Sequence, residues 1–402
     1  MHVTHLSLVD FRNYARADVA LVPGAVLFVG RNGQGKTNLV EAIAYAGSAA
    51  SHRVSTDQAL IRFGAETGIV RLRVQNDDRA VIIEVELNRA SPNRAQANGS
   101  SVRLRDLPRY FASVIFAPED LSLVRGDPGV RRNFLDTLVV QRTPRFAGVI
   151  ADYERVVRQR NSLLKSARAS RLPADSLTTL DVWDERLVSL GTELMMARSD
   201  LVDALRPHVA RAYGAVAGDD HLTRMTMRLS VDADPESDAG FAPASGDAEA
   251  ESGAAGDRDQ AGDRDDAAER IAERFRARLA ERRRAELDRA VTLVGPHRDD
   301  LVLELNGMPA RGYASHGESW SYALALKLAS AEVLRAEAVA GDPVLILDDV
   351  FAELDEGRRE RLADAVGGFE QVLITAAVGA DVPERLAATR VGIAAGTIVA
   401  EA

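Results

Sequence analysis

Apolar and polar positions alternate with a period of two through much of the first stretch of the chain, and that alternation predicts strands with one buried face. Residues 5–11 read as one strand and 19–21 as a second, while 70–74 and 81–87 flank Asn76-Asp77-Asp78 as a hairpin. Asn98-Gly99 marks another turn, and the apolar run 114–117 is a short buried strand ended by Pro118.

From residue 131 the apolar spacing becomes helical. Phe134, Leu135, Leu138 and Val139 begin one helix, and Tyr153, Val156, Val157, Leu163 and Leu164 continue the pattern in a second. Pro173 breaks the run, and a third amphipathic stretch, 182–205, is expected to stop before Pro207. Ile271, Phe275, Leu279, Leu287 and Val291 mark a further helix, after which 292–295 and 301–305 read as strands and Asn306-Gly307 as a hairpin turn. The outline is an α/β head interrupted by a helical insertion.

Composition narrows the setting. The 402 residues include no cysteine, so disulfides and thiolate metal sites are excluded and a reducing cytosol is expected. No apolar run approaches the roughly 20 residues that span a bilayer, and the first ten residues alternate like a strand rather than a signal peptide, so a soluble cytoplasmic protein is expected. The net charge of −10 argues against nucleic acid only until it is located. Residues 232–266 hold twelve acidic side chains against two arginines, so this stretch accounts for the whole excess and the rest of the chain is neutral. Its small and acidic residues cannot bury enough surface to offset the entropy of ordering, which predicts a disordered insert.

The chemistry begins where the apolar run 25–29 enters Gly30-Arg31-Asn32-Gly33-Gln34-Gly35-Lys36-Thr37, the G-x-x-x-x-G-K-T spacing of a P-loop. Glycines let backbone N–H groups turn inward on phosphate oxygens, Lys36 adds a positive charge for the β- and γ-phosphates, and the Thr37 hydroxyl can ligate Mg2+. A helix with Leu39, Val40, Ile43 and Ala44 on one face follows. Far along the chain, 344–349 is an apolar strand closed by Asp348 and Asp349, the form of a Walker B segment. Asp348 would hold Mg2+ and Asp349 would polarise the attacking water, the catalytic set being Lys36, Asp348 and Asp349. Between them Ser315-His316-Gly317-Glu318 opens a helix with Trp320, Leu324, Leu328, Ala331 and Leu334 on its apolar face. Such a turn either caps its helix or, with its free N–H groups, reads phosphate. Because the P-loop already has its phosphates, the second use points to a nucleotide held by another subunit.

In this order, with Glu353-Leu354-Asp355 after the Walker B strand, the motifs resemble SMC-like ABC ATPase heads, and in detail the RecF family. The resemblance rests on residues 8–14 (LVDFRNY), 33–43, 117–121 (APEDL), 295–301 (GPHRDDL) and 348–355 (DDVFAELD), and it runs from residue 6 to 377 outside the acidic insert. It implies an ABC-type P-loop head with an antiparallel β subdomain, formed by 1–125 plus 290–402, and an inserted helical lobe, 126–289. It implies nucleotide contacts from Gly30 to Thr37 and from Ser315, Gly317, Glu318 and Asp355, with Thr37 and Asp348 on Mg2+. It further implies weak ATPase activity, an ATP-dependent homodimer on gapped DNA, and joint action with RecR and RecO in helping RecA load. Three positions depart from related ATPases: the Ser315 turn lacks Gly-Gly-Gln, Thr375 stands where relatives place a histidine, and Glu119 replaces a glutamine.

The helical insertion carries eight basic residues between Arg142 and Arg171, flanked by Arg125, Arg131 and Arg132. Arg155, Arg158, Lys165 and Arg168 are the candidate DNA contacts, directed at the backbone and without sequence preference. Three rivals remain in view. A transporter ATPase subunit would lack this insertion and need a membrane partner, an SMC-type structural protein would need far longer coiled coils, and a nuclease of the overcoming-lysogenization type would need a further acidic metal domain.

Overall fold

The computed structural model describes residues 1–171, 178–218, 221–232, 260–338, 341–387 and 389–399. Its organising element is a mostly parallel sheet. Strands β3 (Gly24–Val29), β8 (Ser113–Phe116), β12 (Val344–Asp348), β13 (Gln371–Ala376) and β14 (Thr389–Ala394) run parallel in the order β14-β3-β13-β12-β8, and β15 (Thr397–Val399) adds an antiparallel edge. The apolar runs noted in the sequence fill both faces of β12 and β13, whose residues are all buried.

A second, antiparallel sheet contains β1 (His2–Phe11), β2 (Tyr14–Ala20), β4 (Thr67–Asn76), β5 (Arg79–Asn88), β6 (Arg94–Ala97) and β7 (Ser100–Val102), in the order β2-β1-β4-β5-β6-β7. Leu6, Leu8, Val70, Leu72, Ile83 and Val85 point from it onto α1 (Lys36–Ser48), which also packs on Val26, Phe28, Ile346 and Leu373 of the parallel sheet. Sandwiched between sheets, α1 buries residues all round, which is why its pattern exceeds a single stripe. The opposite face of the parallel sheet, including Leu27, Phe116, Leu345 and Ile374, is covered by helices.

The helices that follow α1 are α2 (Leu121–Arg125), α3 (Pro128–Arg142), α4 (Phe146–Ala169), α5 (Thr178–Ala217), α6 (Gln260–Arg289), α7 (Ala310–Tyr313), α8 (His316–Glu337) and α9 (Glu356–Val366). Tyr153 and Val156 of α4, Leu187 and Met195 of α5, and Ile271 and Phe275 of α6 form a core of their own. A third small sheet, β11-β10-β9, joins β9 (Thr223–Arg228) to β10 (Asp300–Leu305) and β11 (Met308–Pro309).

Three expectations are corrected. Helix α5 runs through Pro207, because the ring lies on an exposed face while Leu205, Val209 and Tyr213 on either side stay packed. Residues 292–295 form no strand. Side chains satisfy their backbone donors instead: Asn161 accepts from Thr292 N, Glu286 from Leu293 N and Ser230 from Gly295 N, and Gly295 sits at φ 128°, outside strand geometry. The expected disorder of 232–266 does not hold at its C-terminal end. Residues 233–259 lie outside the described residues, but 260–266 already belong to α6, whose start they extend. Among the described residues no helix is long and apolar enough to cross a membrane.

Candidate nucleotide site

Strand β3 delivers the P-loop from the middle of the parallel sheet. A Cβ at Gly30 would run into the Ile393 carbonyl of β14, so only glycine lets the chain leave the strand there. Gly35 sits at φ 116°, where a Cβ would lie 2.7 Å from the Tyr14 hydroxyl and the Asn13 amide. Those two residues are the loop's buttress. Tyr14 donates to the Gly35 carbonyl at 3.1 Å, Asn13 to the Gln34 carbonyl at 3.1 Å, and Asn38 to Asn13 at 2.7 Å. On the other side Ala395 N donates to Gln34 Oε1 at 2.6 Å and Gly396 N to the Gln34 carbonyl at 3.0 Å. The Lys36 ammonium, nearly buried, donates to the Gly30 carbonyl at 2.9 Å and the Arg31 carbonyl at 3.4 Å, with Asn32 Oδ1 also at 3.4 Å. A cleft of about 180 Å³ opens beside Asn32, Gly33, Lys36, Thr37, Arg53 and Asp349.

The Walker B strand meets this cleft from below. Thr37 Oγ1 donates to Asp348 Oδ1 at 3.0 Å, and Thr375 Oγ1 donates to the same oxygen at 2.6 Å. Burial pushes the Asp348 carboxyl up to about 6; Asp349 acts in the same direction, and the two hydroxyls oppose it. A buried carboxylate beside a threonine hydroxyl, all oxygen donors, fits Mg2+, which takes few protein ligands and completes its shell with phosphate and water. Asp349 follows at φ 51° in the left-handed region, with its N–H donating to Thr375 Oγ1 at 2.9 Å.

Two parts of the site escaped sequence reasoning. Glu41 of α1, fully buried, accepts from Arg12 Nε at 2.8 Å and Nη2 at 2.6 Å and from Ser51 at 2.6 Å, which holds its carboxyl below the usual range despite burial. This bidentate pair fixes the turn that carries Asn13 and Tyr14, giving the LVDFRNY segment a physical role. Arg53 lines the cleft, reaches Asn38 at 3.0 Å and stands 3.9 Å from Glu119. Nothing in its local pattern signals that position.

The Ser315 turn lies elsewhere. Ser315 caps α8, accepting from Glu318 N at 3.3 Å while Glu318 accepts from Ser315 N at 2.7 Å. Its surroundings are Arg358, which a Cβ at Gly317 would meet at 2.9 Å, His221, 3.8 Å from Glu318, and Arg125 on Ser319; none of these touches the P-loop. Asp355 caps α9 through Arg358 N at 2.9 Å. The structure thus brings Gly30 to Thr37 together with Asp348 and Asp349, and groups Ser315, Gly317, Glu318 and Asp355 around Arg358 as a separate surface.

In the helical insertion the basic residues divide. Arg160 is fully buried, bonded to Asp184 at 2.7 Å, Glu286 at 2.6 Å and Thr292 at 3.0 Å, and Arg131 is buried against Asp300. These are internal ties and not surface, contrary to the sequence pattern. Arg155 and Arg158 are exposed but face Asp152 and Glu154 on the same helix. Lys165, Arg168 and Arg171 are exposed at the end of α4 with no ion-pair partner among the described residues. His297 is half-buried, with Tyr153 on Nδ1 at 2.7 Å.

A P-loop on the central strand of a parallel sheet, faced by a Walker B carboxylate and flanked by an antiparallel sheet, defines a P-loop ATPase head of the SMC type. A solved Smc head bound to the C-winged helix domain of ScpA shares that fold at 15% identity and TM-score 0.53, covering 99% of this chain and 96% of that one. The RecF/RecN/SMC N terminal domain profile matches residues 2–391. "DNA replication and repair protein RecF" of Clavibacter sepedonicus is 60% identical over 399 residues, 99% of this chain and 95% of the relative, and that of Leifsonia xyli subsp. xyli is 58% identical over 405 residues, 99% of each. The chain belongs to the RecF family. A solved structure of the recombination mediator protein RecF with ATP, in the RecFOR pathway, superposes at TM-score 0.81 and 26% identity, covering 99% of this chain and 98% of that one.

Proposed function

We propose that this chain is an ATP-gated, DNA-binding mediator of recombinational repair that works as a dimer. The observation that supports the dimer is the separation of two elements read as phosphate-binding: among the described residues, the Ser315 turn shares no partner with the P-loop of its own chain. Two copies related by a two-fold axis could therefore each place Ser315, Gly317, Glu318 and Asp355 on the nucleotide held by the other. Lys36 exchanges its loop carbonyls for β- and γ-phosphate oxygens, and backbone N–H groups from Gly33 to Thr37 cradle the phosphates. Thr37 and Asp348 would hold Mg2+, which would neutralise phosphate charge. Asp349 polarises the attacking water; its short carboxylate, where a longer one is common, goes with slow turnover suited to a switch.

DNA meets the helical lobe (126–289), whose exposed Lys165 and Arg168, with Arg155 and Arg158, neutralise backbone phosphates without reading bases. The head (1–125 plus 290–402) carries the nucleotide. Family membership supports RecR as the direct partner, RecO through it, and RecA loading at single-strand gaps as the outcome, in the cytoplasm. Sedimentation velocity of the chain alone, with ATP, and with ATP plus gapped DNA tests the reading. A dimer that forms only with ATP, and co-sediments with DNA only then, is expected. A monomer under all conditions, or DNA binding indifferent to ATP, overturns it.

A further inference from the structure

Thr375 is the penultimate residue of β13 and the register partner of Asp348 and of Phe28, so it lies between the Walker B strand and the strand that feeds the P-loop. It is fully buried. Its hydroxyl has one hydrogen, and the geometry shows where it goes: Asp348 Oδ1 lies at 2.6 Å, against 3.5 Å for Asp349 Oδ1. The oxygen's lone pairs remain for Asp349 N, which donates to it at 2.9 Å. One hydroxyl therefore touches both carboxylate residues, one through its side chain and the other through its backbone.

Each contact solves a local problem. The parallel ladder pairs Asp348 with Thr375 and stops there, leaving the Asp349 amide without a strand partner. Asp349 also occupies the left-handed region at φ 51°, a conformation a non-glycine residue keeps only when its surroundings impose it. The Thr375 oxygen supplies the missing acceptor and fixes that backbone, so the Asp349 carboxylate stays on the wall of the phosphate cleft, where it is found. For Asp348, Thr375 and Thr37 both donate to Oδ1, and Oδ2 accepts no hydrogen bond from the described residues. Two donors on one oxygen lock the rotation of the carboxyl plane and leave the other oxygen for a cation or its water.

We infer that Thr375 is a positioning residue for ATP hydrolysis: its hydroxyl sets the orientation of the Asp349 carboxylate and of Asp348 without itself touching nucleotide. This rests on the reading of the cleft as an ATPase site. Valine at this position keeps the shape and removes the hydroxyl, whereas serine keeps the hydroxyl and removes a methyl.

The test measures single-turnover ATP hydrolysis and the affinity for a fluorescent ATP analogue with Mg2+ in the unaltered chain, Thr375→Val, Thr375→Ser, Asp349→Asn and the Thr375→Val/Asp349→Asn pair. For Thr375→Val a fall in rate of about tenfold or more is expected with affinity within about twofold, and Thr375→Ser recovers most of the rate. The double variant should lose less than the two single losses combined, because the orientation of the Asp349 carboxylate no longer counts while that of Asp348 still does. Unchanged turnover in Thr375→Val, additive losses in the pair, or equal loss of binding and rate in both the valine and serine variants would overturn the inference while leaving the ATPase reading intact. Binding without any hydrolysis in the unaltered chain would overturn both.

Discussion

His297 and Asp299 lie two residues apart in the turn between α6 and β10, and loss of solvent around each moves them in opposite directions. It lowers His297 to about 4 from 6.5 and raises Asp299 to about 6 from 3.8. A histidine with a depressed folded value binds its proton more weakly in the folded state, so its contribution to stability is lost as pH falls through 6.5 toward 4. A carboxyl with an elevated folded value binds its proton more tightly when folded, so stability falls as pH rises from 3.8 to 6. Over the same window the two effects run against each other. By linkage, His297 removes about 2 kcal/mol at pH 5 and almost nothing at pH 7, while Asp299 removes about 2 kcal/mol at pH 5 and about 3 kcal/mol at pH 7. Their sum is nearly flat. The expected outcome is that His297→Gln, whose amide can still accept from Tyr153 and donate to the Thr292 carbonyl, uncovers the hidden slope. Relative to the unaltered chain it should be about 2 kcal/mol more favourable at pH 5 than at pH 7, read from urea midpoints and m-values at each pH. Asp299→Asn should tilt the other way, gaining about 1 kcal/mol more at pH 7 than at pH 5. A difference between variant and unaltered chain that stays constant from pH 5 to 7 would refute the reasoning.

Three further outcomes follow from the site. Lys36→Ala should abolish binding of a fluorescent ATP analogue, since among the described residues no other lysine lines the cleft; retained affinity would remove the P-loop assignment. Gly35→Ala should weaken nucleotide binding at least tenfold with a modest loss of melting temperature, because the new Cβ meets Asn13 and Tyr14 at φ 116°, and unaltered binding would show that the buttress yields. Replacing Lys165 and Arg168 together by alanine should reduce the magnitude of the log-affinity against log-salt slope for DNA by about 2 with ATP affinity unchanged, and an identical slope would place the DNA surface elsewhere.

Much of the fold was written in the spacing of apolar residues. The period of two located β1, β4 and β5, and the helical period located α3, α4 and α5, because these elements keep exposed positions along one side while the other is buried. The P-loop and the Walker B strand were legible for a different reason: phosphate chemistry fixes residue types at fixed local spacing. What escaped was non-local. Strand β9 is six residues long and pairs with β10, some seventy residues later. Arg160 has the sequence surroundings of a solvated arginine, and only the arrival of Asp184 and Glu286 from other helices makes it internal. The contacts of Thr375 likewise exist only once β12 and β13 lie side by side.

The place of β3 in the middle of the parallel sheet has a consequence for how the protein is made. A ribosome completes the P-loop within the first tenth of the chain, yet the neighbours of β3 are β13 and β14, its cation partner is Asp348, and its outer cover is Ala395 and Gly396. Every one of these emerges hundreds of residues later. During synthesis the loop therefore waits with only its Asn13 and Tyr14 buttress at hand, and without the strands that flank it or the carboxylate that faces it. Competence for ATP arrives in a single late step, when the C-terminal strands close the sheet around a sequence that was made first.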